Sequence, residues 1–182
     1  AIAAAKSAFP HWSSLSVSER ARFLAHIADE INKDADETKS RIELFVREHG
    51  KTKFEATLEI ERLADRFRQV SSFAARIEKE EEIAGPRFDT IVTRKARGVA
   101  TLIVPWNWPL AILGSKLPQA LLAGNTLIVK LSEFATLAPA LTLMKIAKLL
   151  PEGVLNVISG DGRVLGPVLI EHPDVRQVNF TG

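Results

Sequence analysis

The sequence predicts an α/β fold, a doubly wound parallel sheet preceded by N-terminal helices. The first half of the 182 residues is rich in charge and helical in period. From Gly98 onward, short apolar runs alternate with helical stretches. With 46% hydrophobic content, a chain of this length buries one substantial core. Strand–helix–strand units of this size imply parallel pairing with right-handed crossovers.

In chain order, the first amphipathic stripe opens at Ser18-Glu19-Arg20-Ala21 and carries Phe23, Leu24, Ile27, Ala28 and Ile31 at three- and four-residue spacing. A second stripe, Ile42, Leu44, Phe45 and Val46, ends near His49-Gly50, where glycine suits the left-handed position after a helix. A third helix is predicted from about Phe54 through Ile77, with Leu58, Leu63, Phe67, Val70 and Phe73 inward and its arginines and glutamates on a solvated face. The charge run Glu78 to Glu82 and the turn residues Gly85-Pro86 stop regular helix. Phe88 to Arg94 reads as a strand with polar positions on both faces, too wet for a sheet centre and suited to a protruding edge or a subunit contact.

The parallel sheet follows. Val99 to Val104 is a short apolar run ended by Pro105, as expected of a strand covered on both faces. Ala111 to Ala123 is a crossover helix closed by Gly124-Asn125, and Thr126 to Val129 is the next strand. Ala135 to Leu150 is a helix stopped by Pro151-Glu152-Gly153. Leu155 to Ile158, a helix after Asp161, and Val175 to Phe180 complete the pattern.

Composition removes several function classes. The net charge is only +2 with basic and acidic residues interspersed, so no nucleic-acid footprint or membrane-surface stripe is indicated. No apolar run has the length of a bilayer span, and the start lacks the pattern of a secretory signal, making a cytoplasmic location the default. The absence of cysteine rules out disulfides and a thiol nucleophile within these residues. The four histidines, His11, His26, His49 and His172, have no ligand spacing, so no metal site is expected.

The chemistry concentrates at strand ends, where open α/β sheets bind ligands. Asn107, inside Pro105-Trp106-Asn107-Trp108-Pro109, offers an amide N–H to a developing oxyanion without titrating. The same residue also suits an N-cap, the commoner role for asparagine before a proline in a first helical turn. Lys130 and Glu133, three residues apart after a buried strand, suit the neighbouring hydroxyls of a ribose; the plain alternative is a solvated ion pair. Glu133 favours NAD over NADP, since a carboxylate accepts from a 2′-hydroxyl and repels a 2′-phosphate. Gly160-Asp161-Gly162-Arg163-Val164-Leu165-Gly166 follows a strand and opens a helix, but its spacing is one residue too long for the dinucleotide fingerprint. It reads either as a phosphate-facing helix start or as a tight turn. The spatial expectation is that Asn107, Lys130 and Glu133 border one crevice.

Taken together, Pro105-Trp106-Asn107-Trp108-Pro109, Gly124-Asn125-Thr126, Lys130-Leu131-Ser132-Glu133, Pro151 to Val157, His172-Pro173-Asp174-Val175 and Phe180-Thr181-Gly182 appear in the order and at the intervals of a known family. The chain resembles the N-terminal part of an NAD(P)-dependent aldehyde dehydrogenase, including Phe9-Pro10-His11-Trp12, Glu19-Arg20 and Gly50-Lys51 in the helical half. The resemblance implies a Rossmann-like sheet and a three-part chain. Residues 1–77 would be the helical part of the cofactor-binding domain, 78–97 an oligomerisation hairpin, and 98–182 the first part of the NAD-binding domain.

By the same resemblance Asn107 is the oxyanion-hole amide, and Ile103, Val104, Pro105, Trp106 and Asn107 line the cofactor cleft. Lys130 and Glu133 hold the adenosine ribose, Gly162 and Gly166 lie near the adenine, and Phe180, Thr181 and Gly182 approach the pyrophosphate and nicotinamide. Two departures stand out: Leu131 replaces a usual proline, and Ala96 another before the Gly98-Val99 strand. The implied activity is oxidation of an aldehyde to a carboxylic acid with NAD(P), through a thioester on a cysteine outside this chain, in a homo-oligomer. This chain alone is then expected to be inactive, as a portion of a longer enzyme. A catalytically silent nucleotide-binding module and an oligomerisation module are the alternatives.

Overall fold

A computed structural model describes residues 1–182. Five helices precede the main sheet: α1 (Ile2–Ser14), α2 (Val17–Glu30), α3 (Ala35–His49), α4 (Lys53–Ser71) and α5 (Ala74–Glu78). Side-chain oxygens satisfy the free amides at three of their starts. Ser16 and Glu19 form a reciprocal capping box for α2, and Thr52 and Glu55 do the same for α4. Asp34 accepts from the Glu37 amide at 2.9 Å to start α3. Gly50, at φ 66°, ends α3 in the left-handed conformation expected of it.

The stripe residues Leu24, Ile27, Phe45, Leu63, Phe67 and Val70 are buried in one core. Two sequence expectations for the third helix fail. It breaks after Ser71 and restarts at Ala74, and Phe73 lies at the surface with the Arg76 guanidinium 5.7 Å from its ring centroid. Leu58 is only half-buried.

The segment Glu81–Ile83 (β1) pairs antiparallel with Thr90–Val92 (β2) as a separate two-stranded sheet. The strand read over Phe88 to Arg94 is thus shorter than expected, and its partner comes from the charge run. Glu81 also pairs with Arg94, two residues past β2, at 2.5 Å. Ile83, Phe88 and Ile91 remain exposed.

The main sheet has four strands, β3 (Val99–Ile103), β4 (Thr126–Leu131), β5 (Leu155–Ser159) and β6 (Val175–Phe180), in the order β5-β4-β3-β6. All pairs are parallel. Alternation assigns the faces. Ala100, Leu102, Leu127, Val129 and Leu131 join the large core with α2 and α4, whereas Val99 and Ile128 pack with Ala5 of α1 and Leu169 on the other side. Leu169 belongs to α9 (Gly162–Glu171). Strand β6 is largely exposed at the sheet edge.

The crossover helix expected over Ala111 to Ala123 is two short helices, α6 (Pro109–Gly114) and α7 (Leu117–Leu122). Pro118 has no N–H to give the Gly114 carbonyl, so the chain restarts with proline in a first turn. The next crossover is α8 (Leu137–Lys148), between β4 and β5, and α9 makes the last, between β5 and β6.

Helix α1 escapes the sequence reading. Its Thr126 contact is specific: the Thr126 hydroxyl donates to the Ala5 carbonyl at 2.8 Å. Gly153, at φ 81°, lets the chain pass beneath it, and a Cβ there would stand 2.7 Å from the Ala4 carbonyl oxygen. Gly153→Ala is therefore expected to destabilise the fold by about 1–3 kcal/mol, measured by urea unfolding. A change below about 0.5 kcal/mol would show that α1 does not press on this turn.

Candidate functional site

A cleft of about 470 Å³ opens at the C-terminal ends of β3, β4 and β6. The chain runs from β3 outward through β4 to β5 and then crosses to β6 on the far side of β3, so the cleft lies at the reversal of strand order. Ile103, Val104 and Pro105 form one wall, Lys130, Ser132 and Glu133 the next. Gly162, Gly166 and Pro167 of α9 close it on one side, and Phe180, Thr181 and Gly182 on the other. The Thr181 amide donates to the Ile103 carbonyl at 3.0 Å, joining the two strand ends.

Lys130 is not beyond its strand, as the sequence suggests, but inside β4, opposite Ile103 and Ile158. It shares the face of Ile128 and Thr126, which is the face covered by α1 and α9, so its stem is buried and its ammonium runs into the cleft. There it meets Glu133 Oε2 at 2.7 Å, while the Gly162 amide donates to Oε1 at 3.0 Å. The ammonium, the Glu133 backbone amide and the Gly162 amide hold this carboxyl at about 2, far below its ordinary 4.5. The pair is solvated on one side only: Lys130 is 4% exposed, whereas the Glu133 residue is exposed at the mouth of the cleft.

The start of α9 favours the turn reading of the glycine-rich segment. The Gly162 amide is taken by Glu133, and the Arg163 amide donates to Asp161 Oδ1 at 2.7 Å. Two carboxylates therefore occupy the amides that a phosphate would need.

Trp106 and Asn107 do not line the cleft; they continue the loop beyond Pro105, and both are exposed. Nor does Asn107 cap α6. The capping position is Trp108, without a side-chain cap bond, and the cap comes from α4. Glu59 Oε2 accepts from the Leu110 amide at 2.7 Å and the Ala111 amide at 3.1 Å. Glu59 is 1% exposed, although the sequence reading puts the glutamates of this helix in solvent, and its other oxygen pairs with Lys51.

The Lys51 ammonium also lies 4.3 Å from the Trp108 ring centroid and 4.9 Å from that of Phe45. His49 stacks on Phe45 with centroids 4.3 Å apart and its Nδ1 lies 2.8 Å from the Trp106 carbonyl oxygen. Burial pushes the His49 imidazole below its ordinary value of 6.5. The sequence reading assigned none of these three polar residues a place around the loop.

Lys116 is a further unanticipated member. Its ammonium donates to the Thr181 hydroxyl, tying the break between α6 and α7 to the end of β6, and burial lowers its pKa. Leu131, at the position of a usual proline, extends β4 to pair with Ser159.

The sequence profile described as the Aldehyde dehydrogenase family matches residues 1–182. The lactaldehyde dehydrogenase of Escherichia coli K12 is 37% identical over 185 residues, covering 100% of this chain and 38% of that protein. The human 2-aminomuconic semialdehyde dehydrogenase is 37% identical over 191 residues, covering 100% of this chain and 37% of that protein. Among solved structures, PnpE in complex with nicotinamide adenine dinucleotide superposes with a TM-score of 0.87 at 36% identity, over 97% of this chain and 36% of that one. A salicylaldehyde dehydrogenase from Pseudomonas putida G7, complexed with salicylaldehyde, superposes with a TM-score of 0.90 at 30% identity, over 100% of this chain and 38% of that one. The chain spans less than two fifths of the length of these relatives. It belongs to the aldehyde dehydrogenase family, matching its N-terminal part.

Proposed function

We propose that residues 98–182 form the adenosine side of a nicotinamide dinucleotide cleft in an enzyme that oxidises an aldehyde to a carboxylic acid. The cysteine nucleophile would come from a part of the protein outside these residues. The observation that carries this reading is the buried-stem ammonium of Lys130 set against the ionised Glu133 at the strand-order reversal. An ammonium and a carboxylate side by side present donors and an acceptor to vicinal hydroxyls. The cleft also has room: a Cβ at Gly166 would meet nothing within 4 Å, and one at Gly162 only the tips of Lys130 and Glu133. The donor set and the space therefore fit the cofactor.

When bound, the dinucleotide supplies a hydride acceptor. The residues of this chain bind and orient it: Lys130 and Glu133 at the ribose, Gly162 and Gly166 beside the adenine, and Ile103, Val104 and Pro105 along the strand end. Phe180, Thr181 and Gly182 would face the pyrophosphate and nicotinamide, and Asn107 would donate its amide N–H to the oxyanion of the substrate. Glu133 stays ionised at neutral pH and disfavours a 2′-phosphate, which selects NAD over NADP. The exposed Ile83, Phe88 and Ile91 of the hairpin favour a homo-oligomer in which that surface is covered. No helix is long and apolar enough to cross a membrane, and the proposed location is the cytoplasm.

Calorimetry on this chain tests the reading. NAD is expected to bind, NADP about tenfold more weakly, and Glu133→Gln to narrow that ratio. Without a thiol, the chain alone is expected to form no NADH from aldehydes. An absence of NAD binding, or a preference for NADP, would overturn the assignment.

A further inference from the structure

The last turn of α3 and the two residues after it reach both loops that leave the central strands. Glu48 spends both carboxylate oxygens on the start of α8. Oε1 accepts from the Thr136 amide at 2.9 Å and the Leu137 amide at 2.6 Å, and Oε2 from the Ala138 amide at 2.7 Å. Thr136 itself offers no side-chain cap there. Its hydroxyl instead donates to the Ser132 carbonyl at 2.6 Å, so holding Thr136 also holds the segment that carries Ser132 and Glu133.

The next residue, His49, turns the opposite way. A carbonyl oxygen only accepts, so the proton sits on Nδ1 and the imidazole donates to Trp106, one residue before Asn107. Gly50 then reverses the backbone, and Lys51 reaches Glu59, which caps the helix after Asn107.

Stability alone does not account for His49. Its side chain is fully buried, and Nε2 has no hydrogen-bond partner, standing 3.6 Å from Glu48 Oε2. A half-satisfied imidazole in an apolar stack is a poorer core residue than an aliphatic side chain of similar volume. Its buried Nε2 also excludes proton transfer to a bound substrate. What the imidazole does provide is a fixed donor to one backbone carbonyl, from a residue covalently next to Glu48.

We propose that Glu48 and His49 are positioning residues that set the spacing between the two walls of the cleft, His49 fixing the loop of Asn107 and Glu48 the loop of Glu133. The cofactor role of those loops rests on the reading above; the clamp does not, and it is tested without any ligand. In a nitrogen-15-labelled chain, His49→Leu is expected to move the backbone amides of Trp106, Asn107 and Trp108. Through the shared turn it is also expected to move those of Glu133, Thr136 and Gly162, which His49 does not touch. His49→Asn, which places an amide N–H near the position of Nδ1, is expected to restore both sets.

Movement confined to residues in contact with His49, or no recovery in His49→Asn, overturns the clamp. If His49→Leu does not fold, Glu48→Gln carries the same test. It replaces the acceptor facing Ala138 with a donor and is expected to move the Glu133 and Asn107 amides together; a shift at Ala138 alone overturns the proposal.

With NAD as the probe, Glu48→Ala is expected to bind about fivefold more weakly at a temperature where it is fully folded, the worth of a lost helix cap. Affinity within twofold of the unaltered chain counts against the clamp. Failure of the unaltered chain to bind NAD overturns the cofactor reading, and the amide shifts then decide the clamp.

Discussion

Replacing Glu59 by alanine is expected to lower the unfolding free energy by about 3–5 kcal/mol, as when one partner of a buried ion pair is removed. Three groups lose their partner at once. The Lys51 ammonium, whose side chain is 8% exposed, keeps only the faces of Phe45 and Trp108 to offset its burial. The Leu110 and Ala111 amides lose the only cap at the start of α6. Glu59→Gln retains an acceptor for the amides but not the charge opposite Lys51, so it is expected to fall between the two. Urea unfolding followed by tryptophan fluorescence reads both, because Trp108 sits against Lys51. A loss below about 1 kcal/mol in Glu59→Ala would mean that water reaches Lys51 and the pair is not a buried one.

Glu59 also marks the limit of what the sequence discloses. Its helix carries Ala56, Ile60, Leu63, Phe67 and Val70 on one buried face, and Glu59 falls on that face, three residues after Ala56 and four before Leu63. A charge on an apolar stripe was therefore visible, but its partners were not. The amides it caps lie 51 and 52 residues downstream, and no local pattern connects them. The misassigned cap at Asn107 has the same origin: residue preference identifies a suitable local cap and is silent about a carboxylate arriving from another helix.

The central strands of the parallel sheet were legible because β3 and β4 are covered on both faces and largely apolar, and the glycines before β3 and before β4 punctuate them. The end of β4 was misplaced by two residues, because a lysine inside a buried strand reads as an exit. Helix α1 was missed altogether. It is apolar on most sides and carries Pro10, and only Ala5 and Trp12 on it are fully covered, so its period is faint. Pro118, by contrast, is a visible signal for the division of the crossover helix.

Lys130→Met is expected to have the largest effect on ligand binding, weakening NAD by about 10- to 100-fold, the worth of a hydrogen bond from a charged group. Methionine keeps the length of the buried stem, so the strand and its contacts with α1 and α9 should persist. The change can be followed at the neighbouring carboxyl. Lys130 is the foremost reason that Glu133 titrates at about 2 instead of 4.5. In Lys130→Met the Glu133 carboxyl should move back toward 4.5, stopping short of it because the Gly162 amide still donates.

The sign for stability follows from the protons bound in each state. Between pH 4.5 and 2 the unfolded chain takes up a proton that the folded chain refuses, so the contribution of the pair is complete above 4.5 and is lost as pH falls toward 2. The variant should show a flatter acid limb in that window and a lower plateau above it. Carbon-13 titration of the Glu133 carboxyl, with calorimetry of NAD on the same samples, separates the two consequences. A midpoint still near 2 in the variant would mean that the backbone amides, not Lys130, govern the carboxylate. Undiminished NAD affinity would mean that the ammonium is bound to Glu133 alone and leaves the ribose to other groups.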